Sequence, residues 1–446
     1  MLCIPGNVNL EINFEDLMKL SYLIPAIILF FNPYISKAQY LVFSQPHSNG
    51  IYRSGEFISI NAAPDTPRSS DTLIIITCRN FLPDSCTSLV LRGDANKVYN
   101  GIARGPSTVI FEGSSGKFMG STGIIIDPDK FRPSTRRPSD FNAFWKKEKN
   151  ELKALPEKVT SSPVQQSDSD YVCLDIELNC TGPKPVRGYF AKPVSAKPGT
   201  LPIVIFFHAA GVSGDWCRSK PEIALKYASM GKGALSFDLN AHGMLNGQPD
   251  SYYVDLENNE LKNYALKCVE DRNSVYFRGM YLRLLRTIDF LASMPEWDGK
   301  RILVTGESQG GGQALAAAGL DKRVSAVVAI VPAMCDWGGS LAGRKGSWPY
   351  PFDTDNDIEK MLKALPYYDV AHILKGSKAT IVAEIGLVDQ TCPSSAIYSA
   401  LNQAKGKKII YTLPYRGHHM TQPFYKEKWE KEILQPIDDF ITDYLR

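Results

Sequence analysis

The sequence predicts a mixed α/β protein in two parts: a small all-β module, then a larger doubly wound, mostly parallel sheet with helices on both faces. Three observations carry this. Short β-rich runs, separated by Gly, Pro, Asn and Asp clusters, fill the chain from Tyr40 to about Pro128. From Leu201 onward the rhythm changes to strand, loop, helix, repeated. Between Arg301 and Leu320 an apolar run turns at once into an Ala-rich helical stretch, through Gly306-Glu307-Ser308-Gln309-Gly310.

At 446 residues the chain is long enough for more than one domain and a large core. A net charge of +3, no basic tract, no P-loop and no G-x-G-x-x-G argue against a nucleic-acid or nucleotide partner. Nine cysteines without C-x-x-C spacing argue against a zinc site. Residues 20–31 (LSYLIPAIILFF) are apolar but too short to cross a bilayer comfortably. Lys19 precedes them, and Ser36-Lys37-Ala38 supplies small residues where a signal peptidase reads. Glu11, Glu15 and Asp16 are acidic where a leader should be basic, so translation is expected to start at Met18. Residues 1–38 thus read as upstream residues and a signal peptide cut after Ala38. The expected protein is exported, periplasmic or secreted, with no membrane span in the mature chain. An oxidising compartment permits disulfides, and Cys78 with Cys86 is the candidate pair; two reduced core thiols is the competing reading.

Taken in order, residues 39–128 offer strands at 57–61, 72–78, 88–91, 108–112 and 123–127, at the spacing of an immunoglobulin-like sandwich. Its one histidine, His47, leaves it without a catalytic set; a spacer or packing block fits better than a carbohydrate-binding module. A Pro- and Arg-rich linker over 129–138 follows. The last domain, 139–446, opens on an amphipathic helix with Ser139 as its N-cap. Residues 171–178 and 186–191 alternate like paired strands. Core strands are expected at 203–208, 233–238, 301–305, 326–331, 380–385 and 408–412, with helices that include 281–293 and 396–403.

The G-x-S-x-G between strand and helix is a nucleophile elbow, which lifts the Ser308 hydroxyl over the positive end of the helix. Chain order in such a site is Ser, acid, His. Of six histidines only His372, His418 and His419 follow Ser308. His372 sits on a helical stretch and reads as core or surface. His418 lies in Tyr415-Arg416-Gly417-His418-His419, just past the last strand, where a general base belongs. Asp389 stands at the end of the preceding strand as the acid, with a helix cap as its alternative role. The backbone N–H groups of Gln309 and Ala210 are the candidate oxyanion donors. His208, His242, His419 and Trp337 are candidates for contact with substrate.

From Asp140-Phe141 onward the chain resembles carbohydrate esterase family 7, the acetyl xylan esterases and cephalosporin C deacetylases. The motifs that carry the resemblance are PSDFNAFW, GESQGGGQALAAAGLD, VPAMCDW and IGLVDQTCPSSAIYSALN. It implies an α/β-hydrolase fold and deacetylation of xylan-type sugars with no cofactor or metal. By position it assigns Ser308 as nucleophile, Asp389 as acid, His418 as base, and Ala210 and Gln309 as oxyanion donors. The family's Arg-Gly-Gln segment reads Asn240-Ala241-His242 here, its His-Glu pair reads His418-His419, and an aromatic common at the oxyanion loop is Ala210. The first departure counts against the family's ring-shaped hexamer and leaves a homo-oligomer an open expectation. The function expected is a Ser-His-Asp esterase acting on an acetylated carbohydrate. Its competitors are a feruloyl-type esterase or peptidase on the same triad, and a non-catalytic carbohydrate-binding protein.

Overall fold

The structure, a computed structural model, describes residues 39–65, 72–90, 96–114, 118–166, 168–419 and 423–446. The signal peptide and the start at Met18 lie outside the described residues. The chain divides into two compact units after Ile126.

The first unit is strand-rich. Its strands are β1 (Gln39–Ser44), β2 (Ile51–Tyr52), β3 (Phe57–Pro64), β4 (Thr72–Arg79), β5 (Leu82–Val90), β6 (Asn96–Ile102), β7 (Ser107–Ser114) and β8 (Phe118–Ile126). They run in the order β5-β4-β7-β8-β1-β3-β6, with β2 beside β8. β1 begins parallel to β8 at Gln39↔Phe118 and then pairs antiparallel with β3 from Leu41↔Pro64. It thereby hands the chain from one sheet to the other. Strict alternation in β3 and β4 sends one face of each inward. Both sheets close on one core of Leu41, Ile58, Ile60, Leu73, Phe111 and Ile124. β1, β2 and β6 were not expected: β2 has only two residues and β6 is rich in Asn, Gly and Lys, whereas β1, a mostly apolar run of six, was passed over. Cys78 and Cys86 sit on neighbouring strands, but Cys86 faces Ile76 across the ladder and both are thiols.

The second unit holds a nine-stranded sheet. Its strands are β9 (Val159–Pro163), β10 (Tyr171–Leu178), β11 (Val186–Pro193), β12 (Leu201–Phe207), β13 (Leu235–Leu239), β14 (Trp297–Glu307), β15 (Ala326–Ile330), β16 (Thr380–Gly386) and β17 (Lys408–Leu413). The order is β17-β16-β15-β14-β12-β13-β11-β10-β9. β13 to β17 and β12 are mutually parallel, whereas β9 to β11 form an antiparallel edge. The six expected core strands are all present. β12, β13 and β15 are buried almost throughout, as parallel strands covered on both faces must be. β9 was missed because VTSSP is exposed at every position and carries no alternation.

The stretch expected as a linker is not loose chain. Phe131 is buried, Ser134 N–H donates to Asp336 at 2.6 Å, and Asn402 donates to the carbonyls of Pro128 and Phe131. The helix that follows, Phe141–Ala154, is capped at Asp140 and not at Ser139, and no side chain closes the cap. The Asp140 carboxylate is instead taken by Tyr367 and Arg272. Among the described residues no helix is long and apolar enough to cross a membrane.

Register places the site. Phe207 pairs with Gly306, Glu307 with Ile330, and Gly386 with Leu413, so five parallel strands end along one edge of the sheet. The chain also reverses direction across the sheet here: β13 lies on one side of β12 and β14 on the other. Loops leaving this edge at such a switch point line a crevice.

Candidate active site

β14 delivers Ser308 straight into the helix Gln309–Leu320. Ser308 takes φ 55°, ψ −118°, a conformation that disfavours a side-chain-bearing residue, and three backbone hydrogen bonds hold it there. Its N–H donates to Ile330 O at 2.9 Å, and its carbonyl accepts from Gly312 at 3.0 Å and Ala333 at 2.9 Å. A Cβ at Gly306 would lie 2.5 Å from the Phe207 carbonyl oxygen, and one at Gly310 only 2.1 Å from it. The elbow packs backbone on backbone, which is why glycine flanks the serine.

Ser308 Oγ stands 2.9 Å from His418 Nε2, and His418 Nδ1 stands 2.8 Å from Asp389 Oδ2. A carboxylate only accepts, so Nδ1 carries the proton and Nε2 presents its lone pair to the serine hydroxyl. Asp389 is fully buried, and its Oδ1 accepts from the N–H groups of Thr391 and Cys392, both at 2.8 Å. Both roles weighed for Asp389 therefore coexist: one oxygen caps the turn and the other holds the imidazole. This arrangement can take a proton from the serine and stabilise the imidazolium that results.

The loop after β12 carries Ala210. His208 and His242, read from sequence as substrate contacts, are both buried and serve this loop instead. His208 Nε2 pairs with Asp238 at 2.5 Å and its Nδ1 lies 3.0 Å from Trp216 O. Burial works against the charged form of His208, but the Asp238 carboxylate outweighs it and the net shift is upward. His242 Nε2 lies 2.8 Å from the Gly211 carbonyl, and its Nδ1 2.7 Å from the Tyr276 hydroxyl. Nε2–H therefore donates to the carbonyl, and burial holds the ring neutral, with its pKa down to about 3. Trp216 closes the loop by donating Nε1–H to Ala210 O at 3.0 Å, with its ring largely exposed.

Two more expectations resolve. Trp337 is buried, donates to Trp348 O at 3.1 Å and packs on Phe277, so it is core and not a substrate contact. His419 is exposed and meets the His418 ring edge-on at 5.0 Å. His372 is buried against Thr135 at 2.8 Å, a core histidine.

Sequence reasoning missed the frame around the base. Buried Arg416 donates Nε–H to Glu384 at 2.7 Å and Nη1–H to the carbonyls of Gly417 and His418 at 2.8 and 2.9 Å. Val388 N–H donates to Arg416 O at 3.3 Å, joining the acid's loop to the base's loop. An arginine next to Gly-His and a glutamate at an inward position of β16 were the only signals. Tyr264 was also missed; its hydroxyl donates to Gln309 Oε1 at 2.6 Å. For a metal, Asp389, Cys392 and His418 bring ligand atoms within 4.8 Å of one another, but two of the three are committed to each other. Burial pushes the Cys392 thiol well up, so it does not compete with Ser308 as nucleophile.

A family model described as acetyl xylan esterase (AXE1) matches residues 127–433. The acetyl esterase Axe7A of Xylanibacter ruminicola is 27% identical over 401 residues, covering 87% of this chain and 89% of the relative. Among solved structures, the acetyl xylan esterase of Paenibacillus sp. R4 superposes with a TM-score of 0.56 at 26% identity, over 70% of this chain and 98% of that one. Acetyl xylan esterase 1 of Thermoanaerobacterium sp. JW/SL YS485 gives 0.55 at 22% identity, over 72% and 98%, a likeness of fold.

Proposed function

From membership of the acetyl xylan esterase family, to which this chain belongs, we infer that it is a carboxylic ester hydrolase that removes O-acetyl groups from carbohydrates. Ser308 Oγ attacks the acetyl carbonyl while His418 Nε2 takes its proton. Asp389 keeps the imidazole in the required tautomer and offsets its new charge. The N–H groups of Ala210 and Gln309 receive the oxyanion of the tetrahedral intermediate. His418 then protonates the departing sugar alkoxide, leaving acetyl-Ser308. Water, deprotonated by the same ring, attacks the acyl-enzyme and acetate leaves.

The observation that carries this reading is the continuous chain from Ser308 through His418 to buried Asp389, at 2.9 and 2.8 Å. It also weighs against a purely binding protein, which has no need of an activated serine. The test is acetate release from acetylated xylan, acetylated pectin and small sugar acetates, set beside feruloyl esters and peptides. Release from a sugar acetate is expected; cleavage confined to feruloyl esters or peptides would move the chain to another reaction on the same triad. The apolar stretch at 20–31 supports export to the periplasm or medium, where such a substrate is met.

A further inference from the structure

A cleft of about 410 Å³ is lined by Gly211 and Val212 of the oxyanion loop, by the segment 261–266 and by Trp348 to Tyr350. Its walls are tied to the reacting residues. Tyr264 donates to the side chain of Gln309, the residue after the nucleophile, at 2.6 Å. The Tyr350 hydroxyl donates at 2.9 Å to the carbonyl of Thr391, whose own N–H holds Asp389. The next residue along the oxyanion loop, Gly211, is the one His242 fixes.

An acetyl group has three heavy atoms and fills little of such a volume, which is in the range that holds a whole small molecule. The cleft therefore takes the larger half of the ester, the alcohol. Its lining suits one class of alcohol. Tyr264, Trp348 and Tyr350 supply aromatic surface, with the Tyr264 and Trp348 rings 6.3 Å apart. Glu257, Lys262 and Asn263 stand exposed on the rim and offer a carboxylate, an ammonium and an amide. A pyranose presents a patch of C–H on its face and hydroxyls around its edge, so it needs both kinds of surface at once.

We propose that this cleft is the subsite for the sugar ring that bears the acetyl group, seated against Trp348 and Tyr350 with its hydroxyls toward Glu257, Lys262 and Asn263. The proposal rests on the deacetylase reading above and adds to it where the alcohol binds.

The experiment compares kcat/KM for an acetylated xylopyranoside with that for ethyl acetate, which carries the same acyl group and no ring. Wild type, Lys262→Ala and Trp348→Leu are measured on both esters. The ratio of sugar acetate to ethyl acetate is expected to fall about threefold in Lys262→Ala and roughly tenfold in Trp348→Leu, chiefly through KM. Lys262 is exposed, so that variant keeps the test open if Trp348→Leu folds poorly. An unchanged ratio in Lys262→Ala, or in a folded Trp348→Leu, overturns the subsite alone. A wild type that prefers ethyl acetate and ignores the sugar ester overturns the deacetylase reading, and the subsite with it.

Discussion

Ser308 sits in a conformation it would not choose, and the backbone bonds to Ile330, Gly312 and Ala333 keep it there. Ser308→Ala removes one hydroxyl from that frame and no packing, so the melting temperature should stay put while kcat falls by roughly 10⁴-fold or more. Adjacent histidines give a sharper contrast. His418 holds both Ser308 and Asp389, whereas His419 meets the His418 ring edge-on. Alanine at 418 should cost about as much as alanine at 308, and alanine at 419 less than ~10-fold; kcat/KM of the two variants on one acetyl ester checks it, and the reverse order would put the base one residue along. These residues were legible in the sequence because each follows a recognisable strand in a fixed chain order. His208 and His242 were not. A histidine after a strand reads the same whether it faces substrate or core, and only the folded chain brings Asp238, Tyr276 and Gly211 to their ring nitrogens.

Elements hold the reacting groups through buried polar pairs. Arg416 and Glu384 are both almost wholly buried and tie β16 to the base's loop. Arg416→Met leaves a buried carboxylate without its charged partner, with only the Trp429 Nε1–H bond remaining, and should cost about 3–5 kcal/mol of stability in denaturant titrations. In the same variant kcat should fall with KM nearly constant, because the base is displaced and the cleft is not; an unchanged kcat would confine the pair to stability. His242 makes a second prediction. Its pKa falls from an ordinary 6.5 to about 3 in the folded protein, so the unfolded chain binds that proton first. The stability this provides is complete above pH 6.5 and is lost as pH drops toward 3. The melting temperature should therefore drop more between pH 7 and pH 5 in wild type than in His242→Gln, and equal drops would contradict a neutral buried ring. At this scale apolar strands such as Ala326–Ile330 were plain from their residues alone. Exposed Val159–Pro163 was not, since its pairing with Tyr171–Leu178 and not its composition makes it a strand.

For the whole molecule, Ser308, Asp389, His418 and the residues named as their supports all lie in the unit 127–446, and the strand-rich unit before it supplies none of them. A chain beginning at Asp127 should fold and keep kcat/KM on ethyl acetate within about threefold of the longer protein. A start after residue 138 should do worse, because it discards the buried Phe131 and the Ser134 bond to Asp336. Sequence drew that boundary late, since Pro and Arg in 129–138 look like linker until their contacts are known. The functional reading depends on one activated serine. An activated serine hydroxyl attacks the phosphorus of a fluorophosphonate and expels fluoride, so exposure of the full chain to the probe, followed by peptide mass mapping, reads that claim directly. A single adduct on Ser308 is predicted, formed far more slowly in His418→Ala. An adduct on another residue, or labelling of Ser308 at an undiminished rate without His418, would contradict the account.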